Sequence, residues 1–234
     1  MIEAQLRGKL AQLADSEDLL TSSAFGLLKF SPLRPVLAEF LSRATRYGDG
    51  REALGTVLSP SGLLDCEAAQ IRFWERHGEF GEPDLLLVGI DWAMVVEVKL
   101  GAEVSGDDQL RRYHALLVDR FPRAAQRHVV YLTMDLSEPA LSSEVTRGIE
   151  RNLWWLSWYE LAGVLEHGSH NRGTHELARD LRRLLDYHGL LPFQGISAQD
   201  VPVAVPLFWD GVSPLITPQD AWPASPLFWK ENPR

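Results

Sequence analysis

The chain has 234 residues, 45% of them apolar and 24% charged, with a formal net charge of −9. That balance allows one soluble globular domain with elaborations and argues against a generally basic nucleic-acid binder. A single cysteine, Cys66, excludes an intramolecular disulfide or an all-cysteine metal cluster, and no apolar run approaches the roughly 18 residues of a membrane span.

The first residues lack a basic stretch followed by an apolar one, so no signal peptide and a cytoplasmic location are expected. Ile2, Leu6, Leu10 and Leu13 fall at helical spacing. Asp15 or Ser16 can cap a second helix that begins Glu17-Asp18 and runs to Phe30, before Pro32 ends it. Pro35 opens a third, to about Tyr47, with Val36, Leu37, Phe40 and Leu41 turned inward. Turns are expected at Gly48–Gly50 and at Ser59–Gly62, and a strand over Ala69–Glu75.

Leu85–Ile90 and Ala93–Val96 read as two strands, apolar on both faces and therefore buried, joined by a tight turn at Gly89–Trp92. A two-residue loop at Ile90-Asp91 pairs Gly89 with Trp92, and so sets Asp84 directly across from Glu97. Glu97 and Lys99 are two apart and share that face. Like charges placed opposite each other are destabilising, and burying them unpaired is costly. A divalent cation between the two carboxylates would remove the conflict, and hard oxygen ligands suit Mg²⁺ or Mn²⁺. A salt-bridged strand pair facing solvent is the alternative.

Asp107-Asp108 makes an acidic start for a helix reaching Phe121, where Pro122 follows. Gln109 and Tyr113 lie four apart on one face of it, together with Leu110 and Leu117, while Arg111 and Arg112 lie to the side. His128–Thr133 reads as a buried strand, joined through this helix and so parallel to its neighbour. A helix over Ser142–Asn152 is expected, then an apolar Leu153–Leu156 segment and a helix capped by Ser157 and reaching Glu166. His167, His170 and His175 surround a Gly-rich loop, but their spacing matches no standard zinc pattern. Thr174 is the expected cap of a last helix to His188, with Leu177, Leu181, Leu184 and Leu185 inward and Arg179, Arg182 and Arg183 as an outer basic stripe.

From Pro192 onward prolines recur and regular helix is not expected. Pro206-Leu207-Phe208-Trp209 returns as Pro226-Leu227-Phe228-Trp229. Groups this apolar either wrap back over the domain or, across residues 206–229, dock on a protein partner or a second copy of the chain.

Pro83-Asp84, Glu97-Val98-Lys99 and Gln109-x-x-x-Tyr113 together resemble the PD-(D/E)XK nuclease superfamily, with the Gln-x-x-x-Tyr element similar to that of its RecB-like and lambda-exonuclease-like branches. The resemblance implies an α/β fold of the restriction-endonuclease-like kind, a mixed β-sheet flanked by helices; here that domain, with a helical N-terminal part, would span residues 1–191 and be followed by the Pro/Trp-rich extension over 192–234. It implies a Mg²⁺-dependent enzyme, with Mn²⁺ as a substitute, hydrolysing phosphodiester bonds in DNA or, less often, RNA. Small stand-alone members often serve restriction, repair or phage defence. Asp84 and Glu97 would hold metal, and Glu17 fits the extra acidic residue that many members carry before the hairpin. Glu17 reads equally well as an ordinary acid in a first helical turn. Asp18 stands beside it, and Glu39, Glu67 and Glu75 are weaker candidates. Lys99 would orient the nucleophile or stabilise developing charge, with Gln109 and Tyr113 in support. Arg111, Arg112, Arg179, Arg182 and Arg183 are candidate backbone contacts for nucleic acid, or solvated surface. A second hypothesis is a nuclease-fold subunit of weak or no activity that binds a partner through its aromatic tail.

Overall fold

A computed structural model describes residues 17–59, 65–101, 108–167 and 172–191. The first expected helix, the Gly-rich histidine loop and the Pro/Trp-rich extension lie outside them. The centre of the fold is a six-stranded mixed sheet. In chain order its strands are β1 (Thr45–Arg46), β2 (Gln70–Phe73), β3 (Leu85–Val88), β4 (Trp92–Lys99), β5 (Gln126–Thr133) and β6 (Leu153–Ser157). Across the sheet the order is β1-β6-β5-β4-β3-β2. The β2–β3–β4 meander is antiparallel, β4, β5 and β6 run parallel, and β1 closes the far edge antiparallel to β6.

All eight residues of β4 are buried, because helices cover both faces of the sheet. On one face α1 (Glu17–Leu28), α2 (Arg34–Ser42), α6 (Trp158–His167) and α7 (Arg172–Tyr187) pack on Leu85, Leu87, Met94, Val96, Val98, Val130 and Leu132. On the other, α4 (Gln109–Arg120) sets Leu110, Tyr113, Leu116 and Leu117 against Leu86, Ala93, Val95, Val129 and Tyr131. Two short helices, α3 (Leu54–Leu58) and α5 (Ser143–Thr146), complete the described part.

The hairpin has the register that its turn dictates. Leu85 stands opposite Val96 and Val88 opposite Ala93, and the Gly89 amide donates to the Trp92 carbonyl at 2.9 Å. The parallel pairing of β5 with β4 follows from the helical crossover. Ser157 caps α6 as expected, its hydroxyl accepting the Tyr159 amide at 3.3 Å.

Three expectations need correction. The third helix stops at Ser42 rather than near Tyr47, because Thr45 and Arg46 pair with β6 and the Tyr47 amide donates to the Leu153 carbonyl. The helix expected over Ser142–Asn152 is a single turn, capped by Ser142 and followed by Gly148 at φ +82°, a conformation no helix continues through. Thr174 does not precede the last helix: α7 begins two residues earlier and Thr174 is buried in its first turn.

Candidate active site

The site forms where the C-terminal end of β4 meets the first residues of α1 and α4. Continuing the β3–β4 register by one residue sets Asp84 opposite Glu97, and the period of a strand turns Lys99 to the same face. Apart from Asp91 in the exposed turn, these three are the charged residues of an otherwise apolar hairpin, and they are nearly inaccessible, at 8%, 2% and 7% exposure. Their partners explain how that burial is sustained. One Asp84 oxygen, Oδ2, accepts the Val98 amide at 2.9 Å, and Oδ1 accepts the Trp74 indole N–H at 3.2 Å. Glu97 Oε1 takes the Lys99 ammonium at 2.7 Å and the Gln109 amide Nε2 at 2.8 Å.

Helix α4 contributes a short relay. Gln109 opens the helix and Tyr113 follows one turn later on the same face. Gln109 Nε2 also donates to the Tyr113 hydroxyl oxygen at 3.0 Å, and that hydroxyl donates to the Glu82 carbonyl at 3.2 Å. The helix thereby fixes both Glu97 and the backbone just before Asp84. Helix α1 contributes Glu17, whose Oε1 meets Lys99 Nζ at 3.0 Å and whose Oε2 accepts the Leu100 amide at 3.2 Å. The Lys99 ammonium is thus spread over Glu97, Glu17 and the Val98 carbonyl.

Burial pushes the Asp84 carboxyl well above the ordinary carboxylate range, and the Glu97 charge pushes it further. Burial also raises Glu97, against the pull of Lys99, and the two carboxyl groups lie within hydrogen-bonding reach of each other. Lys99 is held above its usual value: burial works against its charge, but Glu97 and Glu17 outweigh it. Tyr113 is raised by burial and by Glu97, so its hydroxyl stays protonated and remains a donor. Without a cation the Asp84–Glu97 pair binds a proton more tightly than two exposed carboxyls do.

That pair fits a hard divalent cation. Its free lone pairs are all on oxygen, and a cation would take the place of the shared proton. Among the described residues no set of three or more His, Cys, Asp or Glu side chains is gathered as a metal cage. Glu17, expected as a third ligand, reaches the pair through Lys99 and the Leu100 amide rather than joining it directly.

The remaining expected residues are placed unevenly. Arg111 and Arg112 lie half-buried on α4 beside Gln109, with Arg112 paired to Asp108 at 3.3 Å. The basic stripe of α7 is not brought to the site. Its helix packs on the opposite face of the sheet, Arg182 is paired with Glu166 at 3.0 Å, Arg183 lies 3.7 Å from Asp180, and only Arg179 of the three has no ion pair recorded among the described residues. Sequence reasoning missed Trp74 altogether. Its signal was present, since the expected strand over Ala69–Glu75, once paired to β3, sets Trp74 beside Asp84.

Compared with known proteins, the chain matches no family model, no curated protein and no solved structure.

Proposed function

We propose that the chain is a Mg²⁺-dependent nuclease of the PD-(D/E)XK kind, with a restriction-endonuclease-like core, that hydrolyses phosphodiester bonds with DNA as the favoured substrate. The observation that carries this reading is the convergence on one buried point of Asp84, Glu97, Lys99, Gln109 and Tyr113, drawn from two strands and a helix. A solvated salt-bridged strand pair would have no reason to be buried or to recruit a glutamine and a tyrosine from another element.

Asp84 and Glu97 are the residues that would hold Mg²⁺ or Mn²⁺. When bound, such an ion supplies Lewis acidity, lowering the pKa of water and neutralising charge on a phosphate. The chain's own residues do the rest. Lys99 keeps a positive charge in a water-poor site, where it stabilises negative charge building on the scissile phosphate far more than it would in water. Glu17 holds the same ammonium as Glu97, at 3.0 Å. Gln109 restrains the Glu97 carboxylate, and Tyr113 ties Gln109 to the Glu82 backbone. Arg111 and Arg112 stand next to this point on α4, suited to phosphates flanking the cut.

Purified protein incubated with labelled single- and double-stranded DNA and with RNA, with and without Mg²⁺ or Mn²⁺, tests the reading. Metal-dependent cleavage that Glu97→Gln abolishes is the expected result. Inactivity on every substrate, with no heat of metal binding, would sink it. The second reading is a weakly active or inactive nuclease-fold subunit, serving a partner in the same cytoplasmic setting. The repeated Pro-Leu-Phe-Trp segments of residues 206–229 and the net charge of −9 favour it.

A further inference from the structure

Trp74 is the one non-glycine residue with positive φ among the described residues, at +46°. A bulky side chain rarely adopts that conformation, which costs free energy wherever it persists. Here it ends β2 one residue after Phe73, which pairs with Leu85. Trp74 therefore falls opposite Asp84, and both of its N–H groups go to that residue. The backbone amide donates to the Asp84 carbonyl at 3.2 Å, and the indole Nε1–H to the Asp84 carboxylate at 3.2 Å.

We propose that Trp74 is a positioning residue for Asp84, presetting the carboxylate that receives the cation. This rests on the metal-dependent reading of the site. The Val98 amide holds Oδ2 and the indole holds Oδ1, so each oxygen is fixed by one N–H and keeps a lone pair. Two donors on two different oxygens fix both the tilt and the rotation of a carboxylate, which one donor cannot do. An indole supplies a single N–H on a rigid ring, and Trp74 is itself immobilised at 5% exposure against Phe73, with ring centroids 5.6 Å apart. Filling that space needs only an aromatic ring. The N–H is what a phenylalanine would lack, and it points at the reactive carboxylate. Partners of metal ligands act in this way, and losing one typically weakens metal binding about 10–100-fold.

The test is Trp74→Phe in the full chain, titrated with Mn²⁺ by calorimetry without nucleic acid, alongside thermal unfolding of the metal-free protein. The expected result is a Kd about 10–100-fold weaker than wild type, with a still cooperative transition whose midpoint falls modestly because the buried carboxylate loses one donor, and cleavage restored by raising the metal concentration. A variant that binds Mn²⁺ as tightly as wild type overturns the positioning role and leaves the metal reading standing. A wild-type protein that binds no cation overturns both. If the variant unfolds or loosens, the wild-type indole resonance of Trp74 decides, followed by ¹⁵N NMR as diamagnetic Mg²⁺ is added. A shift at saturation supports the role, and an unmoved resonance overturns it.

Discussion

At the scale of single residues, Lys99 sits where one change separates chemistry from binding. Its ammonium lies 2.7 Å from Glu97 and 3.0 Å from Glu17, in a pocket nearly closed to water. Lys99→Ala leaves the Asp84–Glu97 pair in place and makes its surroundings more negative, so Mg²⁺ binding measured by calorimetry should be no weaker. Under the nuclease reading the rate should fall about 10²–10³-fold, the usual loss for one preorganised charge that acts as the transition state forms. Undiminished cleavage would remove Lys99 from the chemistry. The same change strips the buried Glu97 of its cation. A carboxylate left buried without a counter-charge takes up a proton in preference to staying charged. The variant should therefore lose more stability at about pH 8 than at about pH 5, read as a larger drop in urea midpoint at the higher pH.

At the scale of elements, the hairpin makes the site, and its turn makes the hairpin. Gly89 is needed there for space rather than for an unusual φ. A Cβ at this position would stand 2.2 Å from the Trp92 indole, which is itself buried. Gly89→Ala must displace that ring, and overpacking of this kind costs about 1–3 kcal/mol. For a domain of this size that is roughly 2–4 °C of melting temperature per kcal/mol. An unchanged midpoint would mean that Trp92 has room to yield. The same hairpin was legible in the sequence because three rules agreed on it: a doubly apolar run, a short turn after Gly89 and a period of two. Those rules also gave the facing of Asp84, Glu97 and Lys99. Helical spacing put Gln109 and Tyr113 on one face, and only the resemblance assigned them to the site. The end of α2 and strand β1 were not legible, because each depends on a partner distant in sequence, while α5 is cut short locally before Gly148. Strand β1 is two residues long and exists only because β6 offers it an edge. The place of Trp74 beside Asp84 could have been read by pairing the expected strand with β3, but its left-handed backbone has no local signature.

At the scale of the whole molecule, the buried titratable groups pull stability in opposite directions with pH. Burial pushes His128 down to about 4, helped by the nearby Arg46 and His114 charges, while its Nδ1 accepts the Trp154 indole N–H at 2.9 Å. Below a pH of about 6.5 the unfolded chain binds a proton that folded His128 refuses. The stability it contributes is complete at neutral pH and is lost as pH falls from about 6.5 towards about 4, amounting to roughly 3 kcal/mol. Asp84 and Glu97 run the other way. Their folded values are raised, so the pair contributes stability in acid that is lost as pH rises through those folded values. In the metal-free protein the two effects oppose, so the urea-derived stability should rise less between about pH 4.5 and 7 than His128 alone would make it. His128→Leu should remove that rise and leave a profile weighted towards acid, from a level lowered by about 1–3 kcal/mol at neutrality because the Trp154 N–H loses its acceptor. Under the metal-dependent reading Mg²⁺ should restore the alkaline side. A cation held by Asp84 and Glu97 would bind their deprotonated form and not the unfolded chain, so its stabilising effect would grow as pH rises. Melting curves at about pH 5 and about pH 8, each with and without Mg²⁺, measure this directly. A shift of equal size at both would mean that the cation binds somewhere other than Asp84 and Glu97.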